Sequence, residues 1–555
     1  MKRLSIFVGI LALIITFHLY QLNSIPPGLS NDEANIGYEA WSIATTGKDQ
    51  WGDALPAVFE GFGNWSLPVY IYLLSPLIKI FGPTIVAVRL LSLISVVTLS
   101  GFSYVLLREL RKTPHDWLAV VASVFVGFTP WIFGLSRTAN EATLAVAFFV
   151  AGLVFFLRAQ QRKGSMISPV VLFSLAALTY YGMWVFIPLF LFTIVVIVRK
   201  SLVVSTKDRI AGGAIIAVLI SVLVLISFRQ GGNKRLNQVN IFNDPALVGV
   251  LNQKRGSCVE MYPNVLCQLF FNKPTTYGAT YISNYASHFS LREWFIFNSA
   301  PGILPQGGFF LLIQAPLFLI GLWFIVRRGN SMEKSVYLSW ILLAPLADSL
   351  TGPGNFTRSF ILAPVIPLVG SYSLFMLSKK LRAIVLLVFA FSWMGFFLSY
   401  TSLFPKANSI YTHFEYQPLM EYMRGEKLPI YLSSRFRDTK QYVFLLFYNR
   451  MLPRSFQQDR TVIFEKETDG WIWVKQLDNW HFTKSIPIIG DLPSDSVLIG
   501  ASKEEIEPFV KQYQPCLGIQ LHPKNTIYYL TGDPAFSVLE VKKTGEMTCP
   551  EPKTP

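Results

Sequence analysis

Charged side chains are scarce in this sequence: Asp, Glu, Lys and Arg make up 15% of its 555 residues, against about 25% in a soluble globular chain. With 52% apolar residues, that shortfall excludes a cytosolic enzyme, a disordered chain and a collagen-like fibre. Cysteine is scarcer still, four residues in all, too few for a disulfide-built scaffold. Internal repeats and low-complexity tracts are missing. The C-terminal part has neither a phosphate-cradling Gly loop nor the spacing of a metal site.

What is present is a series of long uncharged runs near 4–22, 84–107, 117–133, 142–157, 210–228, 309–326, 336–350, 359–377 and 383–403. The run 167–198 would extend about 48 Å as one helix at 1.5 Å per residue, too long for a hydrocarbon core of roughly 30 Å. It therefore reads as two short helices turning at Tyr180-Tyr181-Gly182, which brings the expectation to 11 spans. The segment 67–81 is broken by Pro68 and Pro76 and reads as interfacial or slanted.

The net charge of +15 follows from topology. With the N-terminus in the cytoplasm, alternate loops collect 18 bases against four acids, leaving 30 bases against 29 acids elsewhere. The positive-inside rule accounts for this, and nucleic acid is not among the expected partners. An odd span count places residues 404–555 outside the plasma (inner) membrane, together with Cys258, Cys267, Cys516 and Cys549. The simplest pairing is Cys258–Cys267 and Cys516–Cys549; free buried thiols are the equal alternative. The expected fold is thus an all-α polytopic membrane domain (1–403) followed by a small extracytoplasmic α/β domain (404–555). Within the latter, 416–424, 437–449 and 504–511 read as helical, and 428–432, 461–464, 471–474, 486–489, 496–499 and 526–530 as strands.

Two outer loops draw the eye. The loop 229–308 mixes bases with Tyr277, Tyr281, Tyr285 and Trp294, as a lid over a lipid-donor cleft would. The loop 23–66 carries six acids against the single base Lys48. It opens Ser30-Asn31-Asp32-Glu33, with an N-cap signal, and its helix stops at Gly47. Asp32 admits two readings: a carboxylate complementing the helix N-terminus, or a general base at the bilayer surface with a pKa raised by desolvation.

The ordered series Asp32-Glu33-Ala34, Tyr38-Glu39-Ala40, Thr46-Gly47-Lys48-Asp49, Trp51-Gly52, Pro56, Pro68, Tyr72 and Ala87-Val88-Arg89-Leu90 resembles the opening of GT-C glycosyltransferases. Within them it is similar to the group of dolichyl-phosphate-mannose protein mannosyltransferases and bacterial lipid A aminoarabinose transferases. Arg137-Thr138-Ala139-Asn140-Glu141 and Tyr180-Tyr181-Gly182 add to the likeness, which covers about the first 200 residues well, the later spans loosely and the tail not at all. The resemblance implies a GT-C fold and inverting transfer of one sugar from a polyprenyl-phosphate donor to an acceptor hydroxyl of a glycolipid, cell-envelope glycan or protein. The family's first-loop acidic motif falls on Asp32 and Glu33, which makes them the catalytic candidates.

A departing lipid phosphate needs cationic donors, and Arg binds phosphate oxygens bidentately. The candidates are Arg89, Arg137 and Arg358, with Arg229, Lys234 and Arg235 in reserve. Tyr38, Asn140, Glu141, Tyr180 and Tyr181 are candidate substrate contacts. Arg137 and Glu141, spaced i,i+4, would share a face if both lay on one helix, and a mutual pair is the alternative to a substrate role. Asp348, near the outer end of a span, reads as an ion-pair partner or a buried acid. His288 has no second ligand at a recognisable spacing, so no metal site is assigned, while a divalent ion between carboxylates stays open. The rival reading, a multi-span transporter or lipid flippase without covalent chemistry, expects mid-span charges and a second half resembling the first; few such charges and no such repeat are found. After reduction, thiol labelling from the outer face should mark Cys516; labelling confined to the cytosolic face would overturn the span count.

Overall fold

The computed structural model describes residues 2–111, 116–162, 165–198, 238, 240–298, 303–435, 440–459, 462–467, 470–492 and 495–549. The expected span 210–228 and the reserve cations Arg229, Lys234 and Arg235 lie outside them. The described chain forms two compact units. The first comprises Met1–Tyr20, Leu67–Tyr70 and Arg89–Ser399, the second Gln21–Ser66, Ile71–Val88 and Tyr400–Pro555. These units cut the chain differently from a boundary at 403/404, because the acidic loop clusters with the C-terminal part.

The first unit is helical. Among the described residues four helices are long and apolar enough to cross a membrane: Ile85–Arg111, Glu141–Gln160, Arg358–Met376 and Lys379–Ser402. A fifth arises if Trp117–Gly127 and Pro130–Ser136, bent by 58°, count as one. Of the 11 expected spans the described residues thus show four or five, and the chain remains one that crosses a membrane several times. The difference has a backbone cause. Pro130 and Pro345 lack the N–H a continuous helix needs and divide apolar runs that are unbroken in composition. The run 167–198 divides at the tyrosine turn into Ile167–Ala177 and Met183–Val198, each short of the length counted for a crossing. The span Arg358–Met376 is itself irregular, with 3-10 stretches at Arg358–Leu362 and Tyr372–Met376 flanking the α-helical segment Val365–Ser371, which Pro364 precedes.

Close backbone approach holds parts of this unit together. Gly321, in the helix Gln314–Arg328, faces the Val369 carbonyl so closely that a Cβ would overlap its oxygen. Residues 240–298 form the helices Pro245–Val259, Asn264–Phe270, Lys273–Ser287 and Leu291–Phe295, with a Cys258–Cys267 disulfide between the first two.

The second unit joins the helix Asn31–Thr46 and the two-residue strands β1 (Phe59–Glu60) and β2 (Trp65–Ser66) to a mixed sheet. The sheet strands are β3 (Ile430–Ser433), β4 (Ile463–Lys466), β5 (Ile472–Leu477), β6 (Trp480–Thr483), β7 (Ser496–Ala501), β8 (Leu517–Tyr528) and β9 (Pro534–Thr548). Their order is β4-β5-β6-β3-β7-β9-β8, with β3 parallel to β6 and β7 and the other pairs antiparallel. Alternating residues put Val497, Ile499, Leu539 and Val541 into one core with Ile506, Phe509 and Tyr513 of the helix Lys503–Tyr513. Residues 486–489 are not a strand, since Pro487 has no donor for a ladder; β6 and β9 stand where no strand was expected. A second disulfide joins Cys516 to Cys549.

Replacing Gly321 by Ala should lower the thermal transition of the purified protein markedly, by roughly the 1–3 kcal/mol typical of overpacking or more, because the obstructing atom is backbone. Gly395, with nothing within 4 Å of its Cβ position, should tolerate the same change; equal effects at both sites would disprove this account of the packing.

Candidate functional site

The acidic loop is built around its helix. Ser30 is the N-cap: its side chain accepts from the Glu33 N–H (3.2 Å), and the Glu33 carboxylate accepts from the Ser30 N–H (3.1 Å). This capping box gives Glu33 a helix-end task. Gly47 ends the helix in the left-handed region (φ 69°), where glycine carries no Cβ penalty. Asp32 sits exposed one residue before Glu33, and its Oδ1 accepts from Asn64 Nδ2 at 3.1 Å. The β1–β2 hairpin thus closes on the head of the helix at Asp32. Among the described residues nothing buries Asp32, which stays exposed.

The most deeply buried acid of the loop is Glu39, one turn of helix further along from Asn35. Its side chain is wholly enclosed. Gln50 donates to both of its carboxyl oxygens, from the backbone N–H at 3.0 Å and from the side-chain amide at 2.7 Å, and that amide also donates to Asn35 Oδ1 at 3.0 Å. Burial pushes the Glu39 carboxyl well above the usual range, and the nearby Asp49 charge adds to this, while the Gln50 donors oppose it. Asp49 is raised by the same desolvation, opposed by the N–H groups of Asp53 and Trp51. Tyr38 is buried too, and its ring meets Trp41 and Phe456 at 5.8 and 6.2 Å. The helix seats on Tyr442–Tyr448, where a Cβ at Gly37 would lie 2.8 Å from the Phe447 ring. Gln457 ties it further, donating to Ser42 Oγ (3.0 Å) and the Asp49 carbonyl (2.7 Å). Lys466 and Glu60 form an ion pair, and Phe62 stacks on Trp471 at 6.0 Å.

The other candidates belong to the first unit. Arg89 and Arg137 are fully buried. Arg137 follows the helix Pro130–Ser136 and precedes Glu141–Arg162, so Arg137 and Glu141 do not share one helix face. Its guanidinium donates to the carbonyls of His18 and Tyr20, both at 2.7 Å, at the end of the helix Lys2–Leu19. Asn140 caps the helix that Glu141 opens, accepting from the Ala142 N–H at 3.0 Å. Tyr180 and Arg358 are brought together: the tyrosine hydroxyl donates to the Arg358 carbonyl at 3.1 Å, and the guanidinium donates to Thr351 Oγ1 at 3.2 Å. Tyr181 packs on Trp184 at 5.2 Å.

His288 and Asp348, each open in the sequence, answer one another. His288 Nε2 lies 2.7 Å from Asp348 Oδ2, its Nδ1 faces the Asn284 carbonyl at 2.7 Å, and Ser359 Oγ donates to the same Asp348 oxygen at 2.6 Å. Both imidazole nitrogens are engaged, so this histidine is a structural clasp. Among the described residues no group of three or more His, Cys, Asp or Glu is arranged to hold a metal ion. Of the residues this geometry adds, Glu39 lay in the Tyr38-Glu39-Ala40 motif, whereas Asn35, Gln50, Asn64 and Gln457 carried no local signal.

With this geometry in hand, comparison with known proteins is informative. The family model of dolichyl-phosphate-mannose-protein mannosyltransferase matches residues 66–226, under a third of the chain. No curated protein matches the sequence significantly. Among solved structures, ArnT from Cupriavidus metallidurans bound to undecaprenyl phosphate aligns over 96% of this chain and 97% of its own, with TM-score 0.56 and 13% identity. The chain has the fold of ArnT. The apo state of ArnT from the same organism aligns over the same shares, with TM-score 0.55 and 12% identity. The Archaeoglobus fulgidus oligosaccharyltransferase aligns over 80% of this chain and 64% of its own, with 14% identity and a TM-score of 0.47. At such identities the likeness to ArnT is one of fold.

Glu39 yields a pH prediction. A carboxyl raised by folding favours its protonated form in the native state, so its contribution to stability is complete below its ordinary value of 4.5 and is lost as pH rises toward the folded value. The thermal midpoint should therefore fall as pH rises above about 4.5, and Glu39→Gln should flatten the curve, leaving the smaller slope due to Asp49. A mutant curve as steep as the wild type's would remove Glu39 as its source.

Proposed function

We propose that the chain is a membrane glycosyltransferase. It moves a sugar, with inversion, from a polyprenyl-phosphate-linked donor to an acceptor hydroxyl on the extracytoplasmic side of the plasma membrane. The observation that carries this reading is the fold, matched to ArnT over nearly the whole of both chains, together with a family match over 66–226. Sidedness is supported by Cys258–Cys267 and Cys516–Cys549, since disulfides persist in oxidising compartments. The proposed acceptor is a glycolipid, a cell-envelope glycan or a protein.

In this mechanism Asp32 takes the proton of the acceptor hydroxyl as its oxygen attacks the anomeric carbon. The bond from that carbon to the phosphate oxygen breaks, and the lipid phosphate leaves with the electron pair. Asp32 suits the task because the helix cap is supplied by Ser30 and Glu33, while Asn64 orients its carboxylate. Glu33 assists by holding the helix head. Arg89, Arg137 and Arg358 are the proposed phosphate donors, acting where charge develops; Arg358 is the one whose backbone is fixed by Tyr180. Tyr38, Asn140, Glu141 and Tyr181 are assigned to shaping the substrate-binding segments.

The test is transfer from polyprenyl-phosphate sugars by protein purified into lipid. Asp32→Asn should lose two or more orders of magnitude in turnover, within the range of about 10²–10⁴ for a general base, with its thermal transition unchanged. Asn64→Ala, which removes only the orienting bond, should lose less. Undiminished transfer by Asp32→Asn would refute the assignment.

A further inference from the structure

The disulfide-joined helices of the loop 240–298 present an apolar tip to the outside. Met261 and Val265 are 79% and 78% exposed, Phe270 is 65% exposed, and Tyr262, Leu266 and Leu269 are exposed beside them. In the helix Asn264–Phe270 the positions Val265, Leu266, Leu269 and Phe270 follow the i, i+1, i+4, i+5 pattern of a single face. The opposite face is Cys267, fully buried against Cys258. The usual arrangement is inverted. A covalent link holds the inner side, and six large apolar side chains point outward. Contiguous exposure on this scale marks an interaction surface.

The chemistry around the tip identifies what covers it. Between 254 and 273 the charged residues are Lys254, Arg255 and Lys273 against Glu260, a positive rim around aliphatic and aromatic groups. That composition suits the headgroup layer of an anionic leaflet. The anchorage agrees. The following helix, Lys273–Ser287, is clasped at its far end to the head of the span Arg358–Met376, by Ser287 Oγ accepting from the Gly354 N–H at 2.8 Å and by His288 through Asp348 to Ser359. Fifteen residues at 1.5 Å each give about 22 Å, and Tyr281 and Tyr285 tie this helix to the Leu346 and Leu342 carbonyls, so the tip is held within that reach of the span's head. We propose that this tip docks into the lipid interface of the outer leaflet, fixing the loop to the bilayer. The proposal rests on the outer placement of this loop given under the proposed function and is independent of the sugar-transfer chemistry.

All described cysteines are in disulfides, so Val265→Cys supplies a single labelling site for bimane on the full chain in nanodiscs. With phosphatidylcholine and phosphatidylglycerol, the expected result is strong quenching by doxyl-labelled lipid and little by aqueous iodide. The same probe at Lys503→Cys, on the tail helix, should show the reverse preference. A Val265→Asp, Leu269→Asp variant labelled through Met261→Cys should lose its doxyl quenching while its thermal transition is retained. Iodide quenching without doxyl quenching at position 265 places the tip in water and overturns the proposal. A cross-link between two copies through that position, or equal doxyl quenching at 265 and 503, overturns it as well.

Discussion

A carboxyl group enclosed without a counter-charge organises the acidic loop. Glu39 is buried in the helix Asn31–Thr46, and its partner is Gln50, which donates through both its backbone and its side chain. Leaving such a group unsatisfied would cost about 1–3 kcal/mol or more, so the chain from 47 to 66 has one favourable path across the helix. The β1–β2 hairpin returns along that path, Asn64 reaches Asp32, and Trp51 donates to the Glu60 carbonyl at 2.7 Å. The exposed aspartate proposed as the base therefore owes its orientation to a different, hidden acid.

Carbonyl groups set a comparable constraint in the helical unit. Proline-broken and 3-10 segments leave backbone oxygens without helical partners, and buried ones must be satisfied. Aromatic donors do this repeatedly: Trp131 to the Phe356 carbonyl and Trp340 to the Ile361 carbonyl, both at 2.7 Å, Tyr180 to Arg358, and Tyr281 and Tyr285 to Leu346 and Leu342. Arg137 serves the end of the first helix in the same way. The high aromatic content, 15%, is thus partly a supply of N–H and O–H donors on rings that also pack against apolar neighbours.

The sequence was legible where local chemistry decides. Ser30, Glu33 and Gly47 bounded their helix by capping rules, and the tyrosine turn divided 167–198 because the run exceeds a bilayer. The span count was not legible, since hydropathy does not register that Pro130 bends a helix pair by 58°. β9 forms a hairpin with β8 and also pairs with β7, yet its second half, with Lys542, Lys543 and Glu546, offers no apolar or alternating run to read.

By itself, then, the sequence determined that the chain crosses a membrane, where its acidic helix begins and ends, and which family its opening resembles, because composition and nearest-neighbour backbone chemistry suffice for these. Tertiary structure alone decided that Glu39 rather than Asp32 is the most deeply buried acid of the loop, that His288 clasps Asp348, and that an apolar tip faces outward on a disulfide. Each of those depends on which distant groups exclude water from one another, and no local pattern encodes that.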